Sequence, residues 1–225
     1  NMTLRIGALC TESRLEREEG RVQLVGDPTE GALLASAMKG GVDIDAVQKE
    51  WTLTGMQPFE SELQYMAVTV SDGTRTLLMV KGSTERLLDM CTHMYEGGVA
   101  VSLEEPRVRA SVNMLSSQAL RVIACAWREV PADADALDAT LYQGLTLAGL
   151  QGMYDPPREE VKAAIADCKT AGIKVIMITG DHRDTARAIA EQLKLNDEQI
   201  DVLSGAELDE MSDKELRAKA DMTEV

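Results

Sequence analysis

Aromatic side chains are nearly missing from this 225-residue chain: they make up 3% of it, and Phe59 is the single phenylalanine. The core must therefore be aliphatic, and an aromatic left at the surface would stand out as a stacking platform for a planar ligand. Cysteine and histidine are also scarce. Cys10, Cys91, Cys125 and Cys168 are scattered with no C-x-x-C pair, and only His93 and His182 accompany them. No zinc motif can be assembled from these, and the thiols are expected to be reduced and buried in a cytosolic setting. Positive charge is in deficit, with 23 Lys and Arg against 38 Asp and Glu and a net charge of −15. That excludes a nucleic-acid or anionic-membrane surface, which needs clustered cations to displace counterions. No apolar run approaches the roughly 18 residues that a membrane-spanning helix needs. The G-x-x-x-x-G-K-[ST], G-x-G-x-x-G, G-x-S-x-G and H-E-x-x-H patterns are all absent.

What is present suits a folded α/β protein of one large or two ordinary domains, with 44% apolar and 27% charged residues. Residues 2–18 read as a helix ended by Gly20, followed by a short strand over 22–25. Gly26-Asp27-Pro28 then punctuates the chain, because proline restricts the residue before it and fits the first turn of a helix. Helices are expected over 32–38 and 43–51. A β region follows, in which 65–70 and 76–80 meet across Ser71-Asp72-Gly73, a hairpin signal. Ser83 caps a helix to Met90, a second hairpin turns at Gly97-Gly98, and a helix is expected over 107–120. A strand over 122–127, a short acidic helix over 133–142 and a strand over 145–153 complete the first lobe. This lobe reads as an antiparallel sheet flanked by helices, residues 1–150.

Asp155-Pro156-Pro157 marks a boundary, since two prolines break any element. Beyond it helix (159–170), strand (173–178), helix (184–195), a short strand (202–203) and a last helix from near Ser212 alternate. Alternation implies a parallel, doubly wound sheet, so residues 151–225 read as a second, incomplete α/β lobe. Its remaining strands are expected outside this chain. The nearly unbroken apolar run Val175-Ile176-Met177-Ile178 fits a strand covered on both faces, and Thr179-Gly180-Asp181 follows where open α/β sheets bind ligands. Those three residues are equally compatible with a simple turn and helix cap.

Other single residues are individually weak signals. Lys81 ends an apolar strand ahead of Gly82 and a helix start; it is an anion ligand or an ordinary surface lysine. Phe59 is a core plug or a stacking face. Glu30 is a partner for the helix dipole or an acceptor for a ligand amine. Arg121 opens a strand and by default is a surface arginine.

Taken together and in order, the strings resemble the P-type cation-transporting ATPases, most of all the branch that includes calcium pumps. They are Gly26-Asp27-Pro28-Thr29-Glu30-Gly31, Pro58-Phe59 to Met66, Lys81-Gly82-Ser83-Thr84-Glu85, Leu120-Arg121, Asp155-Pro156-Pro157-Arg158 and Thr179-Gly180-Asp181. The resemblance implies a nucleotide-binding domain over 1–150 and part of a haloacid-dehalogenase-like phosphorylation domain over 151–225. It implies ATP and Mg²⁺ as cofactors. Phe59 would stack on adenine, Glu30 would meet the adenine amine, and Met66, Lys81 and Gly82 would line the pocket. Arg121 would reach the phosphates, and Asp155, in the hinge string, is counted with the cofactor-binding residues. Thr179, Gly180 and Asp181 would support the transferred phosphoryl group and magnesium; no dedicated metal-ligand set is assigned. Phosphoryl transfer is mostly positioning and electrostatics, so donor and acceptor can sit on separate lobes.

The family's Asp-Lys-Thr-Gly-Thr string, which holds the nucleophile, is absent here. The chain is therefore expected to bind ATP without forming an aspartyl-phosphate. Its implied partners are the transmembrane, actuator and remaining phosphorylation parts of the same pump, at the cytoplasmic face of a membrane. Two departures weaken the charge-driven part of binding: Ser83-Thr84 replace the usual Ala-Pro, and Ser61 and Gln64 stand where calcium pumps carry basic residues. A haloacid-dehalogenase-like phosphatase with a large cap would need an aspartate nucleophile upstream, and no apolar strand ending in Asp-x-Asp or Asp-Lys-Thr precedes residue 26. A free-standing nucleotide sensor is the non-enzymatic alternative.

Overall fold

The computed structural model describes residues 1–18, 21–196, 199–220 and 223–225. They form two compact units, one of 1–109 with 122–153 and the other of 110–121 with 154–225.

In the first unit helices α1 (Met2–Leu9), α2 (Pro28–Lys39) and α3 (Ile44–Glu50) and the hairpin β1 (Arg14–Glu18) and β2 (Arg21–Val25) precede the main strands. These are β3 (Thr52–Glu60), β4 (Tyr65–Ser71), β5 (Thr76–Gly82), β6 (Cys91–Glu96), β7 (Val99–Ser102), β8 (Arg121–Val130) and β9 (Leu145–Met153). They lie side by side in the order β3-β4-β5-β8-β9-β6-β7. Helix α4 (Thr84–Met90) and the start of α5 (Glu105–Ser116) complete the unit.

The β4–β5 hairpin forms as its turn chemistry dictates. Gly73 supplies φ +86°, and the Asp72 carboxylate accepts from the backbone N–H groups of Thr74 and Arg75 at 2.9 and 3.0 Å. Side chains then alternate across the pleat. Met66, Val68, Val70, Leu77 and Met79 pack with Ile6, Leu9, Val47 and Trp51 on one face. Ala67, Leu78 and Val80 pack with Leu87, Leu145 and Leu147 on the other. Burial on both faces is why these strands read as unbroken apolar runs. Helix α1 is pinned to β9 by Thr3 Oγ1 donating to the Ala148 carbonyl at 2.8 Å and Gln151 Nε2 donating to the Thr3 carbonyl at 3.3 Å.

Three expectations for this unit are corrected. The first helix ends at Leu9, and residues 14–18 are a strand paired antiparallel with 21–25; Gly20, the expected helix stop, lies outside the described residues. The sheet is not wholly antiparallel, because β6 runs parallel to β9. The acidic stretch 133–142 is mostly turn, with a 3₁₀ helix only over Ala139–Tyr142 capped by Asp138.

The second unit contains α6 (Glu159–Thr170), α7 (Arg183–Leu193), α8 (Gly205–Glu210) and α9 (Asp213–Ala220). The apolar run 173–178 joins no ladder, contrary to expectation, and neither does 202–203. A parallel strand exists only through bonds to flanking strands. Here, among the described residues, the Met177 N–H donates to the Glu224 carbonyl and the Leu203 N–H to the Val225 carbonyl, both at 2.8 Å. Only one face of the run is covered: Val175 and Met177 pack against Ile165, Ala190 and Leu193, while Ile176 and Ile178 are exposed, the latter by 95%.

Candidate nucleotide site

In the first unit the candidate residues are organised by one line across three strands. Gln57 pairs with Ala67 and Glu60 with Tyr65, so Pro58 and Phe59 together face Met66 alone. That two-against-one register is a β-bulge, a device that re-aims side chains at a sheet rim. It leaves Phe59 58% exposed, so the core-plug reading fails. Met66 in turn lies opposite Lys81, and Lys81 opposite Cys125. Residues directly opposite share a face, so the Lys81 stem runs along the face that holds buried Met66 and Cys125. Met66 is fully buried in the core; its place is packing behind the lysine. Gly82 faces the other way. A Cβ there would lie 2.4 Å from the Gln64 carbonyl oxygen and 2.8 Å from Tyr65 Cα, so close backbone approach requires glycine.

Lys81 is 6% exposed, and it is not an ordinary surface lysine. Its ammonium donates to Glu30 Oε1 at 2.5 Å, with side-chain exposures of 7% and 12% for the pair. Glu30 sits in the first turn of α2, whose start follows from Asp27: its carboxylate accepts from the Thr29 and Glu30 N–H groups at 2.8 and 3.2 Å, and Pro28 opens the helix. The second oxygen, Oε2, is held by the segment between α1 and β1. It accepts from Ser13 Oγ (2.7 Å), Ser13 N–H (2.9 Å), Thr11 Oγ1 (3.0 Å) and Glu12 N–H (3.1 Å). Nothing in the sequence pattern singled out Thr11 or Ser13. The available signal was Gly26, whose φ of +133° brings its Cα so near Ser13 that an added Cβ would meet the serine Oγ at 2.1 Å.

Burial opposes ionisation of Glu30, but the hydrogen bonds from Lys81, Ser13 and Thr11 and the lysine charge outweigh it and hold the carboxyl below its ordinary 4.5. A depressed carboxyl contributes stability that is complete above that value and is lost as pH falls through the lower folded-state pKa. Urea midpoints of the wild type are accordingly expected to fall on acidification below about pH 4.5, and Glu30→Gln to remove part of that slope. Parallel slopes for the two proteins would contradict the assignment. The cysteines behind the site are inert by the same physics: burial pushes the Cys10 thiol up to about 12 and Cys125 up to about 11.

In the second unit Thr179 Oγ1 donates to Asp181 Oδ2 at 2.9 Å and accepts from the Asp181 N–H at 3.1 Å. Arg121 Nε lies 3.6 Å from Asp181 Oδ1, with side-chain exposures of 61% and 24%. An ion pair that open to water contributes little to stability. The structure thus brings together Thr179, Asp181 and Arg121, and it brings together Glu30 and Lys81; Asp155 and Gly180 are exposed. The cap of α7 is His182, whose Nδ1 accepts from the Asp184 N–H at 3.3 Å, so Asp181 precedes the cap. Among the described residues no group of three or more His, Cys, Asp and Glu side chains converges as a metal site, and no helix is long and apolar enough to cross a membrane.

The model of the P-type ATPase cytoplasmic domain N matches residues 1–160. The chain belongs to that family. Among curated relatives, the calcium-transporting ATPase of Bacillus subtilis is 40% identical over 217 residues, 95% of this chain and 24% of the relative. The cation-transporting ATPase pma1 of Synechocystis is 44% identical over 189 residues, 83% of this chain and 21% of the relative. The probable cation-transporting ATPase F of Mycobacterium bovis is 41% identical over 216 residues, 93% of this chain and 24% of the relative. The chain therefore spans about a quarter of the length of these P-type ATPases.

Proposed function

We propose that the first unit is the ATP-binding part of a cation-transporting P-type ATPase, a pump that couples ATP hydrolysis to ion movement through an aspartyl-phosphate. The observation that carries this reading is the presence in one unit of an exposed Phe59, set out by a bulge on β3, and a buried Lys81–Glu30 ion pair between β5 and α2. An aromatic face takes a purine by stacking, Glu30 offers an acceptor to an exocyclic amine, and Lys81, bonded to that carboxylate, lines the same base end of the pocket. Met66 and Gly82 act by packing.

The second unit is assigned to the phosphorylation domain. There Thr179 and Asp181 would support the transferred phosphoryl group. A carboxylate is a hard oxygen donor of the kind Mg²⁺ prefers, and it takes that ion jointly with substrate phosphates; Asp181 would contribute such an oxygen. Arg121, now paired with Asp181, would exchange that partner for phosphate. The nucleophilic aspartate is not in this chain, so binding without autophosphorylation is expected. Calcium is the favoured cargo by the names of the relatives, and the cytoplasmic face of a membrane is the expected location.

Calorimetric titration of ATP into the chain tests the reading. Phe59→Ala is expected to weaken binding about tenfold or more, the loss of one base–aromatic stack of roughly 1–3 kcal/mol, while the thermal midpoint stays put because Phe59 is mostly exposed. Unchanged affinity would remove Phe59 from the pocket.

A further inference from the structure

Glu30 does not present two equivalent oxygens. A carboxylate has about four acceptor positions over its two oxygens, and Oε2 already accepts from Thr11 Oγ1, Glu12 N–H, Ser13 N–H and Ser13 Oγ. Oε1 accepts from Lys81 Nζ. A ligand amine must therefore be received at Oε1, beside the ammonium. The orientation that offers Oε1 is set by the segment between α1 and β1, not by α2.

Ser13 is the centre of that segment. Its hydroxyl donates to Glu30 Oε2 at 2.7 Å and accepts from the Asp27 N–H at 2.9 Å, linking the carboxylate to the cap of its own helix. Ser13 is 4% exposed, and Gly26 lies directly over it, so the hydroxyl itself is withheld from ligands. Thr11 Oγ1 reinforces the arrangement, accepting from the Ser13 N–H at 3.0 Å while donating to Oε2.

We propose that Ser13, seconded by Thr11, is a positioning residue that makes Glu30 select a base carrying an exocyclic amine over one carrying a carbonyl at the same place. This rests on the nucleotide-binding reading above and deepens it. With the Ser13 hydroxyl gone Oε2 keeps the Ser13 and Glu12 N–H groups and the Thr11 hydroxyl but loses its shortest bond. The carboxylate can then turn further about its terminal torsion, and Oε1 is held less tightly. An amine donor loses part of its bond, whereas a base with a carbonyl at position 6 had nothing to lose.

The test titrates the full chain with ATP and with inosine triphosphate, identical except that a carbonyl replaces the 6-amine. The wild type is expected to bind ATP more tightly. Ser13→Ala is expected to reduce the ATP-to-inosine preference by roughly five- to tenfold, part of the worth of one hydrogen bond to a charged group, with inosine triphosphate affinity unchanged. Thr11→Val, which leaves the Ser13 hydroxyl bonds to Glu30 and Asp27 in place, should move the ratio in the same direction by less, and it decides the matter if Ser13→Ala fails to fold. A general loss of fold would weaken both nucleotides equally. Folded variants that keep the full preference, or lose both affinities by one factor, overturn the role of the segment. A wild type that binds both equally overturns amine selection by Glu30. A wild type that binds neither overturns the nucleotide reading and this proposal with it.

Discussion

Replacing Glu30 by alanine is expected to destabilise the chain by about 3–5 kcal/mol, the cost of leaving one member of a buried ion pair without the other. Lys81, 6% exposed in the intact chain, would lose its counter-charge, and the donors of Thr11 and Ser13 would lose their acceptor. Chemical denaturation in urea measures it. Adding Lys81→Met to Glu30→Ala should recover a large part of the loss, because removing both charges removes the uncompensated one. A cost below about 1 kcal/mol, in the range of surface pairs, would mean that water reaches the pair far more freely than its burial implies. The comparison also separates two roles of one residue, since the double variant can regain stability without regaining nucleotide affinity.

Gly26→Ala is the second large effect. The Gly26 backbone sits at φ +133°, where an L side chain is strained by about 1–3 kcal/mol. The new methyl would lie 2.8 Å from Ser13 Cα and 2.6 Å from its Cβ, so backbone rather than a flexible tip must move. A total near 3 kcal/mol or more is expected, since overpacking adds a similar amount to the strain. Ser13→Gly placed on top of Gly26→Ala removes the Cβ and Oγ that clash and should return some of it. A Gly26→Ala chain as stable as the wild type would show that the approach to Ser13 is looser than drawn.

How much of this could be read in the sequence depends on whether the signal was local. The Ser71-Asp72-Gly73 and Gly97-Gly98 turns were legible because their geometry is fixed by the residues themselves, and both hairpins formed. The start of α2 was legible for the same reason: Asp27 and Pro28 act within one turn. Residues 14–18 were not, because Arg, Leu and Glu favour a helix in isolation and only pairing with 21–25 makes them a strand. The run 173–178 has strand composition, yet composition cannot supply the neighbouring strands that a ladder requires. The bulge that exposes Phe59 had one cue, Pro58, which cannot donate to a ladder. The bonds of Thr11 and Ser13 to Glu30 span 17 to 19 residues and left no periodicity to find.

The contact between α1 and β9 also dictates an order of events. Thr3 is tied to Ala148 and Gln151 across sequence separations of 145 and 148 residues, and β6 pairs in parallel with β9. Closing loops of that length comes late and slows folding relative to local pairing. During synthesis the β4–β5 hairpin and its packing against α1 can form early, while the hydrogen bonds from α1 to β9 wait until residue 151 has emerged from the ribosome. A nascent chain shorter than that would carry every candidate side chain of the first unit and still lack the β9 anchor of α1.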